Sequence, residues 1–185
     1  WVAGVDEIPL SMSSIPVERG FSSVTVAGIG EATKALNQRK RGDLIGIRGP
    51  FGNSFRIIEK KALVVGGGMG MAPLMPLIKN LVKEGDSTTV MMGANTRSEL
   101  IFLDRLEKTT RDHVKLIVTT DDGSYGSKGF VTDPLSKVSS SDRFDMAYAC
   151  GPEKMIRKAH NLTERCHMPL QASLERIMRC AIGIC

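Results

Sequence analysis

Residues 64–73, Val64-Val65-Gly66-Gly67-Gly68-Met69-Gly70-Met71-Ala72-Pro73, constrain the fold of this chain more than any other stretch. Ala62-Leu63-Val64-Val65 has the short apolar run of a buried strand, and apolar residues at helical spacing predict a helix from Met71 to Lys83. Four glycines lie between them, where the backbone must turn sharply and leave room for something to lie against it. Pro73 suits a first helical turn, where an amide hydrogen would lack a partner anyway. A strand, a glycine turn and a helix N-terminus together favour a phosphate, through free N–H groups and the positive end of the helix dipole. Neither frame of glycines fits the usual dinucleotide fingerprint. Gly66-x-Gly68 puts Met71 where the third glycine belongs, and Gly68-x-Gly70 puts Pro73 there. No Lys-Ser or Lys-Thr follows, so a Walker loop is absent. The turn points to a nucleotide without naming it, and a bare tight connection would use the same glycines.

From Lys60 onward, short apolar runs alternate with helical patterns. Strands are expected at 62–65, 87–92, 114–119, 146–150 and 170–173, and helices near 72–84, 98–109, 131–138 and 152–165. That alternation predicts an α/β domain with a parallel sheet covered on both faces. The β-branched residues of Val114-Lys115-Leu116-Ile117-Val118-Thr119 suit a sheet centre. Ligands of such sheets lie at the carboxyl ends of the strands. Three unusual stretches fall there: Gly93-Ala94-Asn95-Thr96-Arg97, Thr120-Asp121-Asp122-Gly123, and Cys150-Gly151-Pro152-Glu153. Asp122-Gly123 taken alone is an ordinary turn, and a lone Cys150 an ordinary small hydrophobe.

Residues 1–58 read differently. Ser22–Ile29 alternates like a strand, Glu31–Leu36 suits a short helix, and Leu44-Ile45-Gly46-Ile47 suits another strand, closed by the turn-rich Arg48-Gly49-Pro50-Phe51-Gly52-Asn53. Two or three strands cannot close a barrel, so this segment is expected to be the back part of an antiparallel β domain. The chain then divides into 1–58, an α/β domain over 59–174, and a cysteine-bearing segment over 175–185.

Composition excludes several classes. With 42% hydrophobic and 24% charged residues, the 185-residue chain has the balance of a soluble globular protein. A net charge of +5 with 5% aromatics gives no stacking platform for nucleic acid, and Arg39-Lys40-Arg41 is the one tight basic cluster. No apolar run could span a bilayer and no signal segment opens the chain, so no membrane and a cytoplasmic location are expected. His113, His160 and His167 are scattered, with no Ser/His/Asp set and no paired carboxylates. Of the four cysteines, Cys180 and Cys185 have the Cys-x₄-Cys spacing that opens a plant-type [2Fe–2S] ligand run. Cys150 and Cys166 lie upstream and do not complete it, so the other two ligands would follow residue 185.

Together these stretches resemble the ferredoxin–NADP reductase superfamily, in which a flavin barrel precedes a nicotinamide-nucleotide domain. Gly66–Pro73 looks like its nucleotide turn, and Cys150-Gly151-Pro152-Glu153-Lys154-Met155 looks like its second signature. The flanks are similar to the electron transfer subunit of dihydroorotate dehydrogenase, in its archaeal form. These are Trp1–Ser11, Gly30–Leu36, Arg48–Asn53 and Ser173–Cys185, and the likeness covers nearly the whole chain. The resemblance implies a partial flavin barrel, FAD, a [2Fe–2S] cluster, NAD, and an FMN-containing catalytic partner subunit in a hetero-oligomer. Electrons from dihydroorotate would pass from FMN through the cluster and FAD to NAD⁺.

By the same resemblance, FAD would lie against Pro9, Leu10, Ser11, Gly30, Glu31, Ala32 and Thr33. The pyrophosphate and nicotinamide of NAD would lie against Gly66, Gly67, Gly68, Gly70, Ala72, Pro73, Gly151 and Pro152, and Asp122, from its place at the end of the third strand, is expected to line the same cleft. Cys150 would stand beside hydride transfer, and Cys180 and Cys185 would ligate iron. Many relatives carry Arg where this chain has Ile8. No acidic residue ends the second strand, and Arg97 is placed to meet a 2′-phosphate, whereas the family points to NAD. The competing readings are the small flavin subunit of a ferredoxin–NADP transhydrogenase or sulfhydrogenase, a stand-alone NAD(P)H–flavin reductase, and a non-catalytic nucleotide sensor.

Overall fold

The computed structural model describes residues 2–15, 20–57, 61–85, 87–109 and 114–176, with the single positions 178, 180, 182 and 184. Cys185, Gly183 and His113 lie outside the described residues. By its internal contacts the chain forms two compact units, Trp1–Ser54 with Arg176–Cys185, and Phe55–Glu175.

The second unit is built on six parallel strands. They are β3 (Ala62–Gly67), β4 (Thr88–Ala94), β5 (Val114–Thr120), β6 (Ser127–Lys128), β7 (Met146–Cys150) and β8 (Leu170–Ser173), in the order β6-β5-β4-β3-β7-β8. All five strand expectations hold, each within two residues of the observed bounds. The chain starts at β3, walks outward through β4, β5 and β6, and then crosses to β7 on the other side. β3 is therefore where strand order reverses, the place at whose carboxyl ends sheets of this kind hold their ligands.

Alternate side chains of each strand serve opposite faces. Val64, Val90, Met92 and Tyr148 pack on one face under α2 (Met71–Lys83) and α3 (Leu103–Thr109). Leu63, Val65, Met91, Ala147 and Ala149 pack on the other under α4 (Thr132–Ser141) and α5 (Glu153–Arg165). Met71, Leu74, Leu77, Ile78 and Leu81 form the buried stripe of α2. Each such side chain contributes about 1.5–3 kcal/mol on burial, enough to carry Pro76 in the helix interior, where it withholds one backbone donor.

Four expectations need correction. Gly66 and Gly67 belong to β3, so the turn proper is the single 3₁₀ turn Gly68–Gly70. The helix expected at 98–109 is split: Arg97–Glu99 is a separate 3₁₀ turn and α3 starts only at Leu103. Phe102 breaks the run, held at φ 68°. β5 is not central, because its outer neighbour is the two-residue β6, and its middle residues are half-buried. In the first unit, the segment 44–47 forms no strand. Leu44 and Ile47 are 94% and 81% exposed, and an unburied run gains little from lining up as a strand.

The first unit contains β1 (Met12–Ser14) paired antiparallel with β2 (Ser23–Val24), and α1 (Glu31–Asn37). Only two residues of the strand expected over Ser22–Ile29 are paired. Ser13 is buried and its hydroxyl meets both the carbonyl and hydroxyl of Ser23, each at 3.1 Å.

Candidate functional site

The two signature turns sit side by side at the reversal point. Gly66 is the parallel partner of both Cys150 on β7 and Met92 on β4, and Gly67 is the partner of Gly93. The glycines bring these turns together backbone to backbone. A Cβ on Gly70 would stand 2.3 Å from the Cys150 carbonyl oxygen and 2.5 Å from the Gly151 nitrogen. A Cβ on Gly151, whose φ is +152°, would stand 3.0 Å from the Gly67 nitrogen. Met155 closes the wedge from below, its sulfur 2.7 Å from a Cβ placed on Gly67. Gly66 makes room for Met71 and Leu74 of α2 in the same way. Gly70 is thus required by a backbone contact, whereas a side chain on Gly66 or Gly67 would press first on the sulfurs of Met71 and Met155. Gly68 is different: φ is +52° and a Cβ there would meet nothing within 4 Å. It is the position open to a ligand.

The N-terminus of α2 offers fewer donors than the sequence suggests. The Met71 N–H folds back onto the carbonyls of Gly68 and Met69, and Pro73 has no N–H. Ala72 is buried, whereas Met69 is exposed on the turn. Pro152 is the N-cap of α5, and Glu153 opens the first turn, one position after the expected helix start.

Cys150 ends β7, half-buried against the core. Burial pushes its thiol above the ordinary range, a hydrogen bond from Ser173 pulls the other way, and the charge of Glu175 adds to the rise. The side chain is therefore a neutral thiol at neutral pH, suited to packing beside an uncharged ring and not to nucleophilic attack.

The loops after β4 and β5 are zipped together farther along the same edge. Asp121 N–H donates to the Ala94 carbonyl and Asp122 N–H to that of Asn95. Asp122 is exposed, and its Oδ1 accepts from Ser124 N (2.9 Å) and Ser124 Oγ (2.6 Å), which hold its carboxyl below the usual range. Ser124 Oγ in turn accepts from Arg97 N (2.8 Å). The carboxylate thus already caps a turn. The Arg97 guanidinium lies 5.4 Å over the Tyr125 ring, whose hydroxyl donates to Glu107 (2.7 Å). Asn95 is fixed by Glu99 (2.7 Å).

In the first unit, Pro9 and Ser11 are exposed and Leu10 is half-buried. Glu7, just before them, takes an ion pair from Arg48, whose Nε reaches both carboxylate oxygens at 3.2 and 3.0 Å. Gly30 and Glu31 are exposed at the start of α1. Thr33 Oγ1 accepts from the N–H groups of Ile29 and Gly30 (3.0 and 2.9 Å) and returns a bond to the Gly30 carbonyl. Of the two expected iron ligands Cys180 is half-buried, and no group of three metal-ligating side chains occurs among the described residues. His160 and His167 are exposed. No helix among the described residues is long and apolar enough to cross a membrane.

Sequence reasoning missed Ser173 and Met155 as parts of this site. Their roles depend on the β7–β8 register and on the packing of α5 against β3, neither of which leaves a mark in linear spacing.

Residues 64–161 match the oxidoreductase NAD-binding domain family. The chain is 43% identical over its whole length to a probable dihydroorotate dehydrogenase B (NAD⁺) electron transfer subunit from Methanocaldococcus jannaschii, covering 68% of that protein. It is 42% identical to the protein of the same description from Archaeoglobus fulgidus, covering 74% of it. Among solved structures, an NADH-dependent reduced ferredoxin–NADP oxidoreductase aligns with a TM-score of 0.85 and 34% identity, over 97% of this chain and 64% of that one. The chain thus spans about two thirds of the length of these relatives.

Proposed function

The chain belongs to the family of dihydroorotate dehydrogenase B electron transfer subunits, and from that premise we propose that it relays electrons released from dihydroorotate to NAD⁺. They would arrive from an FMN-containing catalytic subunit and pass through a [2Fe–2S] cluster and FAD. The observation that carries the NAD end of this reading is the backbone contact of Gly70 with Cys150–Gly151 at the strand-order reversal. It brings the open position at Gly68 close to a neutral thiol. Nicotinamide and flavin supply the hydride chemistry, and the chain supplies placement.

In this reading Gly66, Gly67 and Gly70 let the turns close, and Gly68 leaves the pyrophosphate room beside the N-terminus of α2. Ala72 and Pro73 form the first turn of that helix. Cys150, with Gly151 and Pro152, lines the nicotinamide end. Asp122 acts indirectly, holding the loop that fixes Arg97. Pro9, Leu10, Ser11 and Gly30–Thr33 contact FAD through exposed backbone, and the Arg48–Glu7 pair steadies the first of these segments. Cys180 and Cys185 supply two of the four thiolates that a [2Fe–2S] cluster requires. A segment division at 1–58, 59–174 and 175–185 follows these roles.

A second reading has its own support: the 34% identity to the ferredoxin–NADP oxidoreductase extends over 97% of the chain. The small flavin subunit of such an enzyme would exchange electrons with ferredoxin instead of a dihydroorotate-oxidising partner. Anaerobic co-purification of the full-length protein, followed by a visible spectrum and identification of the bound subunit, separates the two. An FMN-bearing partner with flavin and iron–sulfur bands supports the first reading. A ferredoxin-reducing partner without FMN supports the second.

A further inference from the structure

β8 contributes to the site through one side chain. Ser173 is the parallel partner of Cys150, so the two side chains leave the same face of the sheet on strands about 4.8 Å apart. Both are half-buried. The neighbouring pair on the same face, Tyr148 and Gln171, is fixed by hydrogen bonds to the backbone of one residue. Arg56 N–H donates to Gln171 Oε1 (2.8 Å), and the Arg56 carbonyl accepts from Gln171 Nε2 (2.8 Å) and Tyr148 OH (3.0 Å). Phe55 meets the Tyr148 ring edge-on at 5.7 Å. This clamp holds β8 in register against β7, and with it Ser173 beside Cys150.

We propose that Ser173 is a positioning residue whose hydroxyl holds the Cys150 side chain in one orientation at the carboxyl edge of β7. A thiol on a single-bonded stem has three staggered rotamers, and its register partner on the other neighbouring strand is Gly66, which has no side chain to bond it. The Ser173 hydroxyl makes the choice. Its consequence for hydride transfer rests on the function proposed above, but the pairing itself does not.

The test uses the full-length, FAD-loaded protein and the variants Ser173→Ala and Ser173→Thr. Stopped-flow reduction of the flavin by NADH should slow about fivefold in Ser173→Ala, the factor expected for one ordinary neutral hydrogen bond. NADH affinity should stay unchanged, the melting temperature should fall by only a few degrees, and Ser173→Thr should restore the rate. Independently, the pH midpoint for alkylation of Cys150 should rise in Ser173→Ala and return in Ser173→Thr, with exposed Cys166 as the internal control. An unmoved midpoint, or equal slowing in both variants, overturns the proposal. Flavin reduction absent from the unaltered protein would refute the proposed function instead, and the alkylation midpoint would still decide the pairing.

Discussion

Replacing Gly70 by alanine would separate the two roles that glycines play in this turn. The added methyl would lie 2.3 Å from the Cys150 carbonyl oxygen, 2.4 Å from its carbon and 2.5 Å from the Gly151 nitrogen. All three are backbone atoms, so no side chain can swing aside, and the turns must part by about 1 Å to reach ordinary contact. Overpacking of this kind costs about 1–3 kcal/mol, or roughly 5–10 °C in melting temperature for a unit of this size. A displacement of that size at a reacting group can cost up to about 100-fold in rate. Gly68→Ala is the matched control. Its methyl meets no protein atom, and the left-handed backbone adds only about 1 kcal/mol of strain. Calorimetry and stopped-flow hydride transfer in the full-length protein should show Gly70→Ala destabilised and slow. Gly68→Ala should stay close to native stability but lose NADH affinity. A Gly70→Ala protein with native melting temperature and native hydride transfer would refute the argument that this contact sets the site.

Further outcomes follow from individual side chains. Cys150→Ser should slow NADH-to-flavin transfer while leaving stability nearly intact; an unchanged rate by stopped flow would assign Cys150 to packing alone. Asp133 accepts from Lys158 (2.9 Å) and from Phe130 N–H (2.7 Å), and the Lys158 bond in particular lowers its pKa. A lowered carboxyl pKa gives stability that is present above the unfolded value of about 4 and is lost as pH falls through the folded value. Asp133→Asn should therefore lower the melting temperature at pH 7 and make little difference near pH 2. Tyr148→Phe removes one donor from the Arg56 carbonyl, which keeps its bond from Gln171, so denaturant titration should register a loss of only about 0.5–1.5 kcal/mol.

The α/β unit was legible because its signals are local. Apolar runs bounded by glycine or proline gave the strands, and the 3.6-residue spacing of Met71 to Lys83 gave α2. Pro152 marked the start of α5. The signals failed where tertiary packing decides. Leu100, Leu103 and Leu106 are all buried at spacings a single helix would produce, yet Phe102 in a left-handed conformation divides them between a turn and a helix. Leu44–Ile47 has strand-forming residues, but a strand exists only beside another. The glycines of the turn looked alike in sequence. Only coordinates distinguish Gly70, pressed against Cys150, from Gly68, which faces open space. Asp122 looked like a ligand contact because it stands at a strand end, and its carboxylate is committed to Ser124.

The central claim, that this chain passes electrons from dihydroorotate to NAD⁺, is tested most directly by turnover of the reconstituted complex. The full-length protein with its FMN-containing partner, prepared anaerobically, should form NADH from NAD⁺ when dihydroorotate is added. Omitting this subunit, or replacing it with its Gly70→Ala form, should abolish or sharply reduce NADH formation while the partner still reduces an artificial acceptor. NADH formation that proceeds equally well without this subunit would contradict the account. So would a flavin-loaded complex that oxidises dihydroorotate with artificial acceptors but never reduces NAD⁺.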